Sequence, residues 1–143
     1  MAHQVVTKWT SGMGFDAVVS GHHILMDADE QWGGENKGSR PKQLLLAALA
    51  GCSGMDVVSM LAKMHVPDYT FEMDTEGEST SEHPITYHTI TIKFMFNGNE
   101  LPKDKIVKAV KLSTEHYCGV NAMLKKAANV IVKIYINNTE VPI

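Results

Sequence analysis

The feature that most constrains this chain is a helix signal with no polar side. From Leu44 to Cys52 the sequence runs Leu-Leu-Leu-Ala-Ala-Leu-Ala-Gly-Cys, and Ser39-Arg40-Pro41 stands just before it. A hydroxyl followed by proline marks a helix start, because a first-turn proline gives up an N–H that has no intrahelical partner there anyway. The pattern predicts a helix over about 41–65. Its first half is apolar all the way round, and such a helix must be enclosed by other elements. Gly51 and Gly54 each cost roughly 1 kcal/mol relative to alanine inside a helix, so their position beside Cys52 predicts the close approach of another backbone. A chain of 143 residues is the size of one ordinary domain, 1–143, and a helix of this kind needs more cover than one such chain offers easily.

On both sides of the helix the period changes from helical to two. Val5–Trp9, Asp16–Val19 and His23–Met26 are short strand-like runs punctuated by Gly12, Gly14 and Gly21, which predicts an antiparallel meander. Asp27–Ser39, with Gly33, Gly34 and Gly38, has no periodicity and is expected to be a loop. Two alternating runs, Tyr69–Glu76 and Ile85–Phe96, predict a hairpin closed by the polar Gly77–Pro84 turn. Leu101-Pro102 opens a second helix, a short third helix follows Cys118, and Val130–Ile136 is a final strand. The order βββ-α-ββ-αα-β makes the fold class α+β.

Charge removes some function classes. Sixteen acidic residues face thirteen basic ones, and Arg40 is the single arginine. Phosphate contacts need clustered Lys/Arg, so no nucleic-acid surface is expected. Lys103, Lys105, Lys108 and Lys111 fall at the spacing of a helix's solvated face. No run approaches the ~18 consecutive apolar residues of a membrane span, and Met1-Ala2-His3-Gln4 has no signal-peptide layout, which makes the cytoplasm the expected location. In that compartment two cysteines 66 positions apart, Cys52 and Cys118, are not a structural disulfide framework.

The cysteines then have two readings on residue chemistry alone, as inert core fillers or as redox-active thiols. Cys118 precedes the short third helix, whose dipole would favour its thiolate; Cys52 has no such aid along its own segment. His116-Tyr117-Cys118 supplies one metal-ligand pair with no clear second pair, so no metal is expected. No nucleophile-elbow motif is present.

The run Gly34-Glu35-Asn36-Lys37-Gly38-Ser39-Arg40-Pro41, continuing through Leu44–Cys52 to Ser53-Gly54-Met55-Asp56-Val57-Val58, resembles the signature of the OsmC/Ohr family, the osmotically induced and organic hydroperoxide resistance proteins. Ser113-Thr114-Glu115-His116-Tyr117-Cys118-Gly119-Val120 is similar to the second-cysteine segment of that family. The likeness spans essentially the whole chain and is nearest a less characterised OsmC-like branch.

The resemblance implies antiparallel strands wrapped around a long buried central helix in an intertwined homodimer. It also implies a cysteine-based peroxidase: a thiol-dependent reductase of organic hydroperoxides in oxidative stress defence, with Cys52 peroxidatic, Cys118 resolving, a dithiol as reductant, and no cofactor. Characterised members carry a glutamate after the helix-opening proline and an arginine in the N-terminal strands. Here Lys42 follows Pro41 and those strands lack arginine. Arg40, Lys42 and Gln43 are therefore the candidates for supporting the thiolate, although Arg40 lies about 18 Å from Cys52 along a straight helix. Asp56, one turn from Cys52, would raise a thiol pKa unless it were itself paired. The rival reading is a non-catalytic dimer of the same fold that binds a small apolar or thiol-reactive ligand.

Overall fold

The computed structural model describes residues 1–143. The chain forms two compact units, Met1–Leu45 and Leu46–Ile143, and the boundary falls inside the long helix.

The first unit is a three-stranded antiparallel meander, β1 (Val6–Ser11), β2 (Gly14–Val19) and β3 (His22–Met26). Gly12 turns the chain between β1 and β2 with φ +55°, and the Trp9 indole Nε1 donates to its carbonyl at 2.8 Å. Trp9, Phe15 and Leu25 stand exposed in a single chain. The segment after β3 is a loop, as its lack of period predicts, and it contains one 3-10 turn, Glu30–Trp32. It is held from inside by Asp27, whose carboxylate accepts from the backbone N–H groups of Ala28 (2.7 Å), Lys37 (3.1 Å) and Glu35 (3.2 Å). Ser39 closes the loop by pairing with β3, its N–H donating to the Leu25 carbonyl at 2.9 Å. A Cβ at Gly38 would collide with the Leu25 backbone there.

Helix α1 (Pro41–Lys63) ends within two residues of its expected limit. By length and hydropathy it could cross a membrane. In the second unit it buries one stripe at four-residue spacing, Leu49, Ser53, Val57 and Leu61. Enclosure of the helix is incomplete in one chain, since Leu45, Met55 and Val58 remain exposed.

The second unit's sheet has the order β4 (Tyr69–Ser79), β5 (Tyr87–Gly98), β6 (Asn129–Ile136) and β7 (Thr139–Val141). The β4–β5 hairpin keeps its register from Tyr69↔Gly98 to Glu78↔Thr89. Phe71 stacks on Phe96 at 4.4 Å between centroids, inside a core that includes Ile90, Ile92, Phe94 and Ile134. Strand β6 joins β5 in parallel, because the two helices between them form a crossover and return the chain to the same edge. β7 was not visible in the periodicity. It is made by a two-residue turn at Asn137-Asn138, both with positive φ, and this same dipeptide begins the chain's glycosylation-like triplet. Between β5 and β6 lie α2 (Lys103–Leu112), a π-helical turn over Ser113–Tyr117 and α3 (Gly119–Leu124). The four lysines of α2 are exposed, as their spacing predicts, and Lys105 donates to the Met64 carbonyl just beyond α1 at 3.0 Å.

Close approach at the two helix glycines is found at one of them. A Cβ at Gly54 would lie 2.5 Å from Met73 Cε, whereas a Cβ at Gly51 meets nothing within 4 Å. The neighbour at Gly54 is a side chain of β4, not a backbone. The expectation of crowding at Gly51 is corrected accordingly.

Candidate functional site

Cys52 is half-buried in the middle of α1, and Cys118 is buried at the junction of the π turn with α3; both are free thiols. The fold brings them into one neighbourhood: Ser53, next to Cys52 on α1, donates to Cys118 Sγ at 3.2 Å, and Cys52 is among the groups that act on the Cys118 thiol. The π turn is the local device. Its wider winding leaves Cys118 in extended backbone at ψ 104°, where it caps α3 and turns its sulfur inward.

Two donors meet the Cys118 sulfur: the Ser53 hydroxyl at 3.2 Å and the Asn121 backbone N–H at 3.3 Å. Behind them the Ser113 hydroxyl reaches Asp56 Oδ2 at 3.0 Å and the Ser53 carbonyl at 3.2 Å. Asp56 is thus paired with a hydroxyl, one turn along the helix from Cys52. Asn121 donates its amide to the Thr114 carbonyl at 2.7 Å, while its buried Oδ1 has no partner.

Burial pushes the Cys118 thiol above its ordinary range, and the neighbouring Cys52 adds to this, while the Ser53 hydroxyl and the Asn121 N–H pull the other way. The sequence points to helix-dipole activation of Cys118. The cap hydrogen bond from Asn121 is present, but α3 is only six residues long and desolvation outweighs it.

Arg40, Lys42 and Gln43 belong to the first unit. The Arg40 guanidinium is held there by the Gly38 carbonyl at 3.0 Å and by Asp29 at 3.6 Å; Lys42 is half-buried and Gln43 exposed. His116 is exposed, with its ring edge-on to Tyr117. Asp56 lines a cleft of about 440 Å³ together with Ser59, Met60, Lys63, Leu112 and Tyr117.

Ser53, Ser113 and Asn121 escaped sequence reasoning. For Ser53 a signal existed, since it is the one polar residue at a buried stripe position of α1. Nothing in the sequence ties Ser113 to α1.

Residues 34–133 match the model of the OsmC-like protein family. Protein YhfA of Escherichia coli K12 is 36% identical over 128 residues, which is 89% of this chain and 92% of that protein. A hypothetical protein from Aquifex aeolicus VF5 superposes with a TM-score of 0.84 at 30% identity, over 96% of this chain and 97% of that one. The organic hydroperoxide resistance protein OhrB of Bacillus subtilis shares the fold, with a TM-score of 0.63 over 94% of this chain and 98% of its own at 14% identity. The two signature segments, the element order and these matches lead to one conclusion: the chain belongs to the OsmC-like protein family.

Proposed function

We propose that this protein is a cytoplasmic, thiol-dependent hydroperoxide reductase that acts on organic hydroperoxides as a homodimer, with both units serving as one domain. The observation that carries this reading is the meeting of Cys52 and Cys118, from separate elements, as free thiols. The more exposed sulfur is the one a peroxide meets first, and the buried one is placed to resolve it. That one protein of this fold is named for organic hydroperoxide resistance supports the substrate class.

The Cys52 thiolate attacks one peroxide oxygen; an S–O bond forms as the O–O bond breaks, and the alkoxide leaves and takes a proton as alcohol. The Cys118 thiolate then attacks the Cys52 sulfenic acid. An S–S bond forms as the S–O bond breaks, and hydroxide departs and is protonated to water. The two thiols supply two electrons, and a dithiol returns them by exchange.

One equivalent of cumene hydroperoxide should consume both thiols of each chain and lower its mass by about two units, without cross-linking chains. Cys52→Ser should abolish thiol loss. Cys118→Ser should react once and stop at a sulfenic acid that dimedone traps. Folded, fully reduced protein that keeps both thiols for an hour in excess peroxide would refute the enzyme and leave the ligand-binding dimer.

A further inference from the structure

A buried polar knot surrounds Cys118. Ser53 and Ser113 are completely buried, Asn121 is 1% exposed and Cys118 is 4% exposed. A serine inside a helix ordinarily turns its hydroxyl to a carbonyl of the preceding turn or to solvent. Ser53 does neither. Its Oγ is aimed across to Cys118 Sγ at 3.2 Å, from a position where α1 otherwise buries Leu49, Val57 and Leu61. A neutral thiol gains little as an acceptor, because sulfur accepts weakly; a thiolate gains much, because hydrogen bonds to charged groups are about twice as strong. A buried donor directed at sulfur is therefore worth most when the sulfur is ionised.

We propose that Ser53 is a further functional residue of the thiol pair: its hydroxyl, with the Asn121 N–H, forms a two-donor cradle that stabilises the Cys118 thiolate in the step that closes the disulfide. The inference rests on the peroxidase reading for its place in the reaction, but the cradle itself is a property of Cys118. When Cys118 loses its proton to solvent, Ser53 Oγ–H and Asn121 N–H remain as donors to the anion. As the S–S bond to Cys52 forms, that charge passes to the departing hydroxide, which takes a proton as water. Ser113 holds the knot in place by tying the Ser53 carbonyl and the Asp56 carboxylate to one hydroxyl. The titratable groups on this side of Cys118 are the Cys52 thiol and, behind Ser113, Asp56. Burial opposes ionisation of Cys118 and the two donors oppose burial, which is the balance a cradle is needed to set.

The test needs no peroxide in its first arm. In a Cys52→Ser background the thiolate absorbance of Cys118 is followed against pH, with and without Ser53→Ala. Loss of one hydrogen bond to a charged sulfur should shift the titration upward by about one pH unit or more, roughly tenfold in the ionisation constant. Ser53→Thr should restore it. Should the alanine variant fail to fold, the Thr and Val variants at this position, alike in shape and differing in the hydroxyl, make the same comparison. In the second arm, with both cysteines present, Ser53→Ala should prolong the life of the dimedone-trappable sulfenic acid roughly threefold before the disulfide closes, because the scarcer thiolate is also the more nucleophilic one. A Cys118 titration that is the same with and without the hydroxyl overturns the cradle. An upward shift in a protein inert to hydroperoxide upholds the cradle and removes only the peroxidase reading.

Discussion

Asp27 holds the loop between β3 and α1 through an acceptor that works fully only as an anion. Three backbone N–H groups, from Ala28 first and then Lys37 and Glu35, keep its carboxyl below the usual range against the opposing effect of burial, and Arg40 adds its charge. A carboxyl whose pKa is lowered by folding contributes stability above its unfolded value of about 3.9, and that contribution is lost as pH falls through the folded value. Asp27→Ala should therefore melt earlier than the parent at pH 7, with the difference shrinking as the pH drops below about 4. Thermal melts at pH 7 and pH 3 check this, and an equal difference at both would deny the charge any part. The Cys118 thiol follows the opposite sense. With Cys118 pushed upward by burial, closure of the disulfide should accelerate through the alkaline range in single-turnover experiments.

At the scale of elements, α1 owes its placement to the stripe Leu49–Ser53–Val57–Leu61 and to Gly54, against which Met73 and Phe71 of β4 lie. The far end of Met73 can swing away from an added methyl. It has less room to avoid the branched side chain in Gly54→Val, which should cost about 1–3 kcal/mol by overpacking. Gly51→Ala meets no atom of its own chain and removes a helix-interior glycine, so it should be neutral or stabilise by up to about 1 kcal/mol. Melting the two variants side by side tests the pair. A Gly51→Ala protein that melts early would place a partner chain at that position. The β4–β5 hairpin shows a firmer version of the same contact: the Tyr87 ring covers Gly77 so closely that a Cβ would stand 2.5 Å from it.

For the whole molecule, the apolar surface left bare in one chain is the observation that matters most. Leu45, Met55 and Val58 of α1 and, in the first unit, Trp9, Phe15 and Leu25 are exposed in one chain, and such bare apolar side chains are available to the interface of a homodimer. The proposed homodimer should scatter light with twice the 15.8 kDa mass of the chain at micromolar concentration and should not dissociate without unfolding. A folded species at the single-chain mass would sink it. The sequence by itself determined the α+β class, the limits of α1 to within two residues, the meander, the hairpin and both cysteines, because each of these is written in local periodicity or in a motif. It could not supply β7, whose three residues are too short to carry a period, nor the parallel β5–β6 pairing, nor the choice of Gly54 over Gly51 as the crowded position. Only the tertiary structure decided that Ser53, Ser113 and Asn121 gather at Cys118. A hydrogen bond between residues 65 positions apart depends on how α1 lies against the π turn, and side-chain spacing along a chain holds no information about which face of one helix meets which turn of another.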